Sequence, residues 1–310
     1  MNEINFRFPN SSSLAIFSQP LSSKSISFEK SPLTFSEKIL QQVTEHWILQ
    51  LRQKQYQLSK KGIPAKIKSY SSFHDHNLDA LFVNEKPVMW PGSCVTLRDW
   101  HVNNGSAILF VSELSYPFIA ALSDENFLNK LHDENFHSLR PPLAVCTFAI
   151  TSDSFLVLTV RGIATPVYPG RFYGQGGNPQ HSQIDLLQHQ LEEMEEELLI
   201  KPDEVMHDSL KFFGIVEDQE NFPRKPDLIG TVKISLSSHE LKDRFESRLH
   251  NNRPPDVADT RLIHFDDENL FDFLKSETPK NFCPPAHGGL LLVGMREFGV
   301  DWLNRITNND

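Results

Sequence analysis

Residues 174–200 decide the fold and read GQGGNPQHSQIDLLQHQLEEMEEELLI. The diglycine Gly176-Gly177 allows a tight backbone turn, because glycine adopts conformations that other residues avoid. Apolar side chains then recur at steps of three and four residues, which predicts a helix over residues 182–199 with one buried face. The side chains of that face are Leu187, Leu191, Met194 and Leu198. The stretch therefore predicts a turn that leads into an amphipathic helix.

Three carboxylates share a second face of this helix. Glu193, Glu196 and Glu197 are separated by three or four residues, so their side chains project on the same side. Like charges at this spacing repel each other unless water solvates them or a cation lies between them. One interpretation is a solvated acidic surface, which a run of charges commonly forms. The other is a metal site, because Mg²⁺ prefers carboxylate oxygens together with the phosphate oxygens of a substrate.

The sequence on both sides of this helix predicts a mixed α/β fold, since strand-like and helix-like stretches alternate. Two strands before the helix are separated by the turn Ser152-Asp153, as in a β-hairpin, and a second helix begins near Ser238. The predicted strands cover residues 143–151, 155–161, 210–216 and 228–236. Residues 262–265 and 290–293 are predicted as the last strand and the start of the closing helix, in either order.

The first half of the chain, residues 1–139, is predicted to be an α+β domain that precedes a second domain of residues 140–310. The boundary lies at Arg140-Pro141-Pro142, where consecutive prolines interrupt the pattern. The predicted helices cover residues 35–58 and 124–132, and the predicted strands cover 65–70, 78–83, 94–100 and 107–111. The segment before residue 35 is rich in Ser, Asn and Pro, which indicates irregular structure or an edge strand.

Composition narrows the class of function. The chain of 310 residues has a net charge of −10, so it lacks the basic surplus that general nucleic-acid binding requires. A small phosphorylated substrate stays open, because a few Arg and Lys residues and a divalent cation can bind it. Cys94, Cys146 and Cys283 show no paired spacing, which predicts reduced thiols. Neither a secretory signal pattern nor an apolar run of about 18 residues occurs, so a cytoplasmic protein without a membrane segment is expected.

The arrangement of glycine, loop and acidic helix resembles the Nudix box, whose helix carries metal-associated glutamates. Glu193, Glu196 and Glu197 match the three glutamates of that helix, and Met194 and Ile200 match its two apolar positions. The resemblance implies a Nudix-type α/β/α sandwich with a mixed β-sheet, preceded by an N-terminal α+β extension or domain.

The chain departs from the Nudix box at three positions. Glu192 stands in place of the arginine, Leu199 in place of the glycine that follows the glutamates, and Gln183 in place of the first acidic residue. The loop after Gly177 is also one residue longer than the usual spacing. The chain therefore resembles Nudix proteins with a degenerate box.

The likeness is closer to a divergent Nudix branch that hydrolyses UDP-glucose and UDP-galactose to UMP and a sugar 1-phosphate. It extends over the strand that ends at Arg161, the loop at Gly177, TLRDW at residues 96–100 and CPPAHGG at residues 283–289. Arg161 and Gly177 match positions of the substrate site of that branch. Leu97 stands where the branch has a ligand-contacting Tyr, and Tyr173 where it has an Asp.

This resemblance implies that Mg²⁺, or Mn²⁺ in its place, supports hydrolysis of a nucleoside diphosphate sugar, with UDP-glucose or UDP-galactose as the expected substrate. Glu193 and Glu197 would hold the metal, and Glu196 would position or deprotonate the attacking water. Arg161 would stabilise the phosphate charge. Two alternatives stay open. One is another nucleoside diphosphate derivative, such as ADP-ribose, a dinucleotide or a CoA ester, and the other is a Nudix-fold protein that binds a nucleotide without cleaving it. In each of these cases the protein could assemble as a homodimer.

Two further charged positions are candidates for the same site. Lys225 and Asp227 lie in a predicted loop before the strand over residues 228–236. Lys225 could meet a phosphate and Asp227 could orient a base or a water molecule, or both could belong to a surface turn. His189, four residues before Glu193, could tune the acidic face or be an ordinary exposed helix histidine.

Overall fold

The structure, a computed structural model, describes residues 10–31, 33–70, 78–89, 91–131, 139, 141–162, 165, 167–180, 184–220, 224–249 and 257–307. Its strands are β1 (Ser11–Ser22), β2 (Ile26–Lys30), β3 (Ala65–Tyr70), β4 (Leu78–Val83), β5 (Lys86–Met89), β6 (Ser93–Asn103), β7 (Ser106–Ser115), β8 (Ala144–Ile150), β9 (Phe155–Arg161), β10 (Phe172–Tyr173), β11 (Lys211–Asp218), β12 (Pro226–Lys233) and β13 (Val257–His264). Its α-helices are α1 (Glu37–Lys60), α2 (Tyr116–Leu122), α3 (Glu125–Leu128), α4 (Leu186–Leu198), α5 (Ser238–Leu249), α6 (Asp267–Ser276), α7 (Pro284–Phe298) and α8 (Val300–Thr307).

A mixed sheet of seven strands forms the middle of the fold. Its strands follow the order β1-β11-β12-β8-β9, and both β10 and β13 pair with β9. Strands β12 and β8 are parallel, whereas the other neighbours are antiparallel. The predicted hairpin of β8 and β9 is confirmed, although the two strands pair only at Ala149↔Val157 and Ile150↔Leu156. Beyond these positions they diverge.

Helices cover both faces of this sheet. Along β8, Val145 and Ala149 face one apolar cluster, while Cys146 and Phe148 face another, as the two-residue period of a strand requires. The first cluster includes apolar side chains of α4 and α5, and the second includes those of α6, α7 and α8. The sheet therefore lies between two helical layers, and the predicted α/β sandwich with a mixed sheet is confirmed.

The first half of the chain contains two smaller sheets, β2-β7-β6 and β3-β4-β5. Helix α1 packs against the second of these through Trp47 and Leu51, which are fully buried with Leu81. The Trp47 indole also donates a hydrogen bond to the Asp79 carbonyl at 2.8 Å. The long helix and the four strands predicted for this half are confirmed, with bounds that shift by a few residues.

Strand β1 is the edge strand of the central sheet and pairs with β11. The edge-strand interpretation of the N-terminal segment is thereby confirmed. Strand β6 also reaches the central sheet, because the Leu143 amide donates to the Val95 carbonyl at 2.7 Å. The division into residues 1–139 and 140–310 stays a prediction. Under that division, β1 belongs to the sheet of the second part.

The position of helix α7 shows that one of the two alternatives predicted for residues 290–293 is wrong. Residues 290–293 lie inside it, so they do not form the last strand, which is β13. The first twelve residues of α7, from Pro284 to Met295, are all buried, so no polar face reveals a helical period. Within the described residues, neither α7 nor any other helix is long and apolar enough to cross a membrane.

Three other helical details differ from the prediction. Helices α2 and α6 were not predicted. The helix predicted over residues 124–132 is confirmed only as the short α3, and residue 132 lies outside the described residues. Pro117 in the first turn of α2 is a signal for a helix start that the sequence prediction did not use.

Candidate active site

The site lies where β8 and β9 diverge. Residues 172–177 enter the gap between these strands and complete their hydrogen bonding. On one side Tyr173 pairs with Thr159 of β9. On the other side the Val145 amide of β8 donates to the Gly177 carbonyl at 2.9 Å. The pairing with β8 and β9 therefore places the diglycine next to the acidic helix.

Gln175 holds the diverging strands at a fixed distance. Its backbone exchanges two hydrogen bonds with Thr147, at 2.7 and 2.8 Å. Its fully buried side chain accepts from the Ala149 amide at 2.8 Å and donates to the Val157 carbonyl at 3.0 Å. Diverging strands would otherwise leave these backbone groups unpaired in the core, which costs free energy. Gln175 thus fixes the path of the chain towards the diglycine.

The two glycines are required by close approach. Gly176 has a φ of +141°, and a Cβ at this position would lie 2.1 Å from the Val145 carbonyl oxygen. A Cβ on Gly177 would lie 2.3 Å from Glu193 Oε1. Both distances are far shorter than van der Waals contact. At Gly176 the obstacle is backbone, so glycine is required there, whereas a side chain at residue 177 would displace the Glu193 carboxylate.

Helix α4 begins at Leu186 and is capped by Asp185, whose carboxylate accepts from the amides of Leu187 (3.0 Å) and Gln188 (3.1 Å). It ends at Leu198, and the capping residue Leu199 adopts a left-handed conformation with a φ of +59°. The buried face predicted from the sequence is confirmed. Its buried apolar residues are Leu186, Leu191, Met194 and Leu198, with Leu187 partly buried.

A cleft of about 620 Å³, including its open mouth, lies between α4, the diglycine loop and the ends of β9 and β12. It is lined by Thr159, Arg161, Tyr173, Gly176, Gly177, Asn178, Glu193, Glu197, Lys225 and Val257. The lining thus combines two carboxylates from the helix with two cations from the sheet.

The structure brings together most of the residues that the sequence assigned to one site. These are Arg161, Tyr173, Gly177, Glu193 and Glu197. Thr159 was missed, although it lies two residues before Arg161 on the same strand and so shares its side of the sheet. Val257 was also missed, and it reaches the cleft from a strand almost a hundred residues further along the chain, a contact for which the local sequence carries no signal.

The two carboxylates of the cleft lie against the diglycine loop. The Gly176 amide donates to Glu197 Oε2 at 3.2 Å. The Glu193 carboxylate lies next to the Gly177 Cα. A Cβ on Gly177 would be only 2.3 Å from Glu193 Oε1. Because Glu193 and Glu197 are four residues apart on α4, both carboxylates point from successive turns towards the same loop.

His189 lies beside this acidic pair. Its Nε2 atom is 3.9 Å from Glu193 Oε1 and 3.4 Å from the Gly177 carbonyl oxygen. Burial lowers the pKa of His189, while the Gly177 carbonyl and the charge of Glu192 oppose this change. The ring is half-buried between helix and loop, so the interpretation of His189 as an ordinary exposed helix histidine is wrong.

Arg161 is held at the cleft by two contacts. Its Nε donates to the Val167 carbonyl at 3.0 Å. The centre of its guanidinium lies 5.3 Å from the centroid of the Tyr173 ring, in the range of a cation–π interaction. The strand end and the following loop therefore hold a positive charge at the side of the cleft formed by the sheet.

Asp227 differs from its predicted position. It lies within β12 rather than in a loop, it is fully buried, and it does not line the cleft. The Tyr173 hydroxyl donates to Asp227 Oδ2 at 2.5 Å, and Lys225 Nζ lies 3.8 Å from Oδ1. Burial raises the pKa of Asp227, and Lys225, the Tyr173 hydroxyl and Arg161 oppose the rise. Two predictions for Asp227 are therefore wrong: that it lies in a surface turn and that it contacts the substrate directly.

Leu97 and Glu196 also lie outside the cleft. Leu97 is fully buried in the first apolar cluster, because the alternation of β6 turns it inwards with Val95. The prediction of a ligand contact for its side chain is thus corrected. Glu196 is exposed on α4 and does not line the cleft, whereas Glu193 and Glu197 do.

The donor set of the cleft fits a divalent cation that a substrate helps to hold. Among the described residues, no three His, Cys, Asp or Glu side chains are grouped closely enough to hold a metal ion by themselves. Glu193 and Glu197 provide two carboxylates on one side of the cleft. Mg²⁺ is commonly bound by one or two carboxylates together with water and substrate phosphates. The residues present therefore suit Mg²⁺ with a phosphorylated ligand better than a metal enclosed by protein.

Comparison with known proteins assigns no family to this chain. No model of a known protein family matches the chain, and no curated protein matches it. It is similar to the crystal structure of DR0079 from Deinococcus radiodurans, with a TM-score of 0.33 and 12% identity over 48% of this chain and 80% of that chain. It is also similar to a mutant of the Bacillus subtilis pyrophosphohydrolase BsRppH, with a TM-score of 0.31 and 15% identity over 50% of this chain and 79% of that chain. TM-scores of this size do not assign a fold family.

Proposed function

We propose that this protein is a Nudix-type hydrolase that cleaves the pyrophosphate bond of a nucleoside diphosphate derivative with the help of Mg²⁺ or Mn²⁺. The observation that carries the proposal is the cleft itself. There, Glu193 and Glu197 lie against the Gly176-Gly177 loop, and Arg161 lines the same space. A diphosphate is the ligand whose charge matches this combination, because its oxygens can bind a metal held by carboxylates and a guanidinium at the same time.

Each side chain has a defined task in this reaction. Glu193 and Glu197 would hold the cation, which supplies charge neutralisation at the attacked phosphorus and lowers the pKa of a bound water. Arg161 stabilises the negative charge that develops on the phosphate oxygens. Its contacts with the Val167 carbonyl and the Tyr173 ring keep the guanidinium in place before a substrate arrives, so little ordering is needed on binding.

The residue that positions or deprotonates the attacking water must lie inside the cleft. Glu196 was assigned this task from the sequence, but it is exposed outside the lining. A carboxylate acts as a general base only within hydrogen-bond reach of the water or through one further water. We therefore assign the task to Glu193 or Glu197 and expect the Glu196→Gln variant to retain most of the turnover.

Among nucleoside diphosphate derivatives, a UDP-sugar is the first candidate, with UMP and a sugar 1-phosphate as products. The support is the likeness of Arg161, Gly177 and the residues around them to the UDP-glucose branch. ADP-ribose, dinucleotides and CoA esters are the next candidates, because Tyr173 replaces the Asp of that branch at the cleft.

A second candidate function is binding of a nucleotide without cleavage. The specific observation in its favour is the exposure of Glu196, which leaves two carboxylates in the cleft where the Nudix box has three metal-associated glutamates. A protein of this kind would bind a nucleoside diphosphate derivative with Mg²⁺ and release no products.

The test is an assay of nucleoside 5′-phosphate release from UDP-glucose, UDP-galactose, ADP-ribose, a dinucleotide and CoA (adenosine 3′,5′-bisphosphate in the case of CoA), with Mg²⁺, Mn²⁺ or EDTA. The Glu193→Gln variant should lose about 100-fold in turnover, the size of effect expected for one charged group at a reacting phosphate. The matched control is Glu195→Gln, an exposed glutamate of the same helix, which should stay within about twofold of the wild type. Full activity of Glu193→Gln, or turnover that EDTA does not reduce, would contradict the proposal. Tight nucleotide binding without product would favour the second candidate.

A further inference from the structure

We infer that Lys225 is a phosphate-binding residue of this cleft and that the buried Asp227 is the residue that positions it. The inference rests on the proposed function only in that the ligand is taken to be a diphosphate. From the sequence, Lys225 could be either a phosphate contact or part of a surface turn. The inference assigns it to the substrate site.

Lys225 and Asp227 form an asymmetric ion pair at the edge of the cleft. Lys225 lines the cleft and its side chain is 34% exposed, whereas the Asp227 side chain is 0% exposed. The distance between Lys225 Nζ and Asp227 Oδ1 is 3.8 Å, which is too long for a hydrogen bond. Asp227 Oδ1 has no hydrogen-bond partner, although it is buried. The ammonium is therefore attracted to Asp227, while its protons stay available for a ligand.

The buried carboxylate explains why the ammonium stays near the cleft. A buried charge is costly unless an opposite charge compensates for it. The Tyr173 hydroxyl satisfies only Oδ2 of Asp227, and Lys225 is the cation next to Oδ1. A flexible lysine would otherwise extend into water, since its compact charge is strongly hydrated. Asp227 thus holds the Lys225 charge at the edge of the cleft.

The backbone of Lys225 is fixed together with the loop that follows Arg161. The Asp218 amide donates to the Lys225 carbonyl at 2.9 Å. The Tyr168 hydroxyl donates to Asp218 Oδ2 at 2.6 Å, and Arg171 pairs with Glu220 at 2.6 Å. Tyr168 and Arg171 belong to the loop after β9, while Asp218 is the last residue of β11 and Glu220 belongs to the turn that follows it. These contacts hold both cations of the cleft in one relative position.

Two cations and two carboxylates in one cleft predict how a ligand is oriented. The phosphate nearest to Glu193 and Glu197 would bind the divalent cation that these carboxylates hold. Arg161 and Lys225 would contact the remaining phosphate charge. We assign Lys225 to the phosphate charge that substrate and transition state both carry, and a contact of this kind strengthens the binding of both alike. Loss of Lys225 should therefore raise KM and leave kcat nearly unchanged.

The test compares Lys225→Met with Lys233→Met in the full chain. Lys225 directly precedes β12, and Lys233 is an exposed lysine at the far end of that strand, outside the cleft, so Lys233→Met removes the same charge without touching the cleft. Affinity for inorganic pyrophosphate with Mg²⁺, measured by calorimetry, should fall about tenfold or more for Lys225→Met, the size of one charge-assisted hydrogen bond. Lys233→Met should bind like the wild type, and Lys225→Arg should recover much of the affinity. Equal affinity of Lys225→Met and wild type would overturn the inference.

The positioning role of Asp227 is tested by Asp227→Asn in both backgrounds. With Lys225 present, this change should raise KM, and in Lys225→Met it should have no further effect. An undiminished effect without Lys225 would overturn the positioning role. If Lys225→Met unfolds because Asp227 is left unpaired, the double variant Lys225→Met/Asp227→Asn provides the same binding comparison without a buried charge.

These experiments separate the inference from the proposed function. Pyrophosphate binding does not require turnover. Weakened binding by Lys225→Met in a protein that cleaves no substrate would support the inference and contradict the hydrolase. Turnover by the wild type with unchanged KM in Lys225→Met would support the hydrolase and contradict the inference.

Discussion

The Glu193 carboxylate lies against Gly177, at the place where a side chain of residue 177 would begin. A Cβ on Gly177 would be 2.3 Å from Glu193 Oε1 and 2.8 Å from its carboxyl carbon. The Gly177 carbonyl also accepts the Val145 amide, so the loop cannot move away without breaking the sheet. The position of Glu193 therefore depends on a glycine sixteen residues earlier in the sequence.

This contact predicts the effect of Gly177→Ala. The added methyl group would displace the Glu193 carboxylate, and a displacement of about 1 Å at a reacting group can cost about 100-fold in rate. We expect a comparable loss of turnover and a higher Mg²⁺ concentration for half-maximal activity. A Mg²⁺ titration of the best substrate measures both.

The control for Gly177→Ala is Gly62→Ala. Gly62 has a φ of +71° and nothing within 4 Å of its missing Cβ, so alanine there adds strain of about 1 kcal/mol without a contact at the cleft. Gly62→Ala should melt earlier and keep its activity. Unchanged metal dependence in a folded Gly177→Ala protein would show that Glu193 is not positioned by this contact.

The features that the sequence predicted well depend on local periodicity. The helix over residues 182–199, its buried face and the shared direction of Glu193 and Glu197 follow from the 3.6-residue repeat alone. The approach of Arg161 to the diglycine was expected from the resemblance, and the cleft contains both. Local pattern and local geometry agree here because α4 is amphipathic.

The features that the sequence did not predict depend on contacts between distant residues. Pro226-Asp227 reads as a turn, yet Asp227 lies in a strand and is covered by Tyr173, which is 54 residues away in the chain. Leu97 could face either side of β6, and the packing of that strand on the central sheet decides the side. Helix α7 shows no helical period because both its faces are buried. In each case the neighbour that decides the structure is absent from the local sequence.

The hydrogen bond between Tyr173 and Asp227 predicts a loss of stability in Tyr173→Phe. The change leaves a fully buried carboxylate oxygen without its donor, which costs about 1–3 kcal/mol. The loss should be smaller at acid pH, because burial raises the pKa of Asp227 and protonation removes the buried charge. Urea denaturation at two pH values measures the difference.

Tyr168→Phe is the matched control. Its hydroxyl also donates to a carboxylate, Asp218, at 2.6 Å. That carboxylate accepts the Glu220 amide as well, at 2.8 Å, and Tyr168 is only half-buried. Tyr168→Phe should therefore cost less than Tyr173→Phe. The opposite order would mean that Asp227 is protonated in the native protein and does not need the donor.

His287 predicts a loss of stability in acid. It is buried in α7, its Nδ1 has no hydrogen-bond partner, and burial lowers its pKa from 6.5 to about 4. The unfolded chain therefore binds a proton more readily than the folded chain. The contribution to stability is fully present above pH 6.5 and is lost as the pH falls towards 4, by about 3 kcal/mol in total.

The variant His287→Gln should remove this part of the pH dependence, because glutamine does not titrate. Between pH 6.5 and 4, the free energy of unfolding should fall less steeply in the variant than in the wild type. His239→Gln is the control for the substitution itself, since His239 is exposed. It should keep the wild-type slope. Parallel curves for wild type and His287→Gln would show that the ring is protonated inside the fold without penalty.

Leu199 predicts a gain from a substitution at the end of the acidic helix. It has a left-handed φ of +59°, where a residue with a side chain costs about 1–2 kcal/mol, and the Nudix box has glycine at this position. Leu199→Gly relieves that strain, and the greater entropy of glycine in the unfolded chain offsets about 0.5–1 kcal/mol of the gain. Urea denaturation should show a variant up to about 1 kcal/mol more stable than the wild type, whereas Leu198→Gly, at a fully buried helical position, should lose several kcal/mol, roughly 3 or more. A loss in Leu199→Gly would mean that the half-buried leucine side chain contributes more by packing than its backbone strain costs.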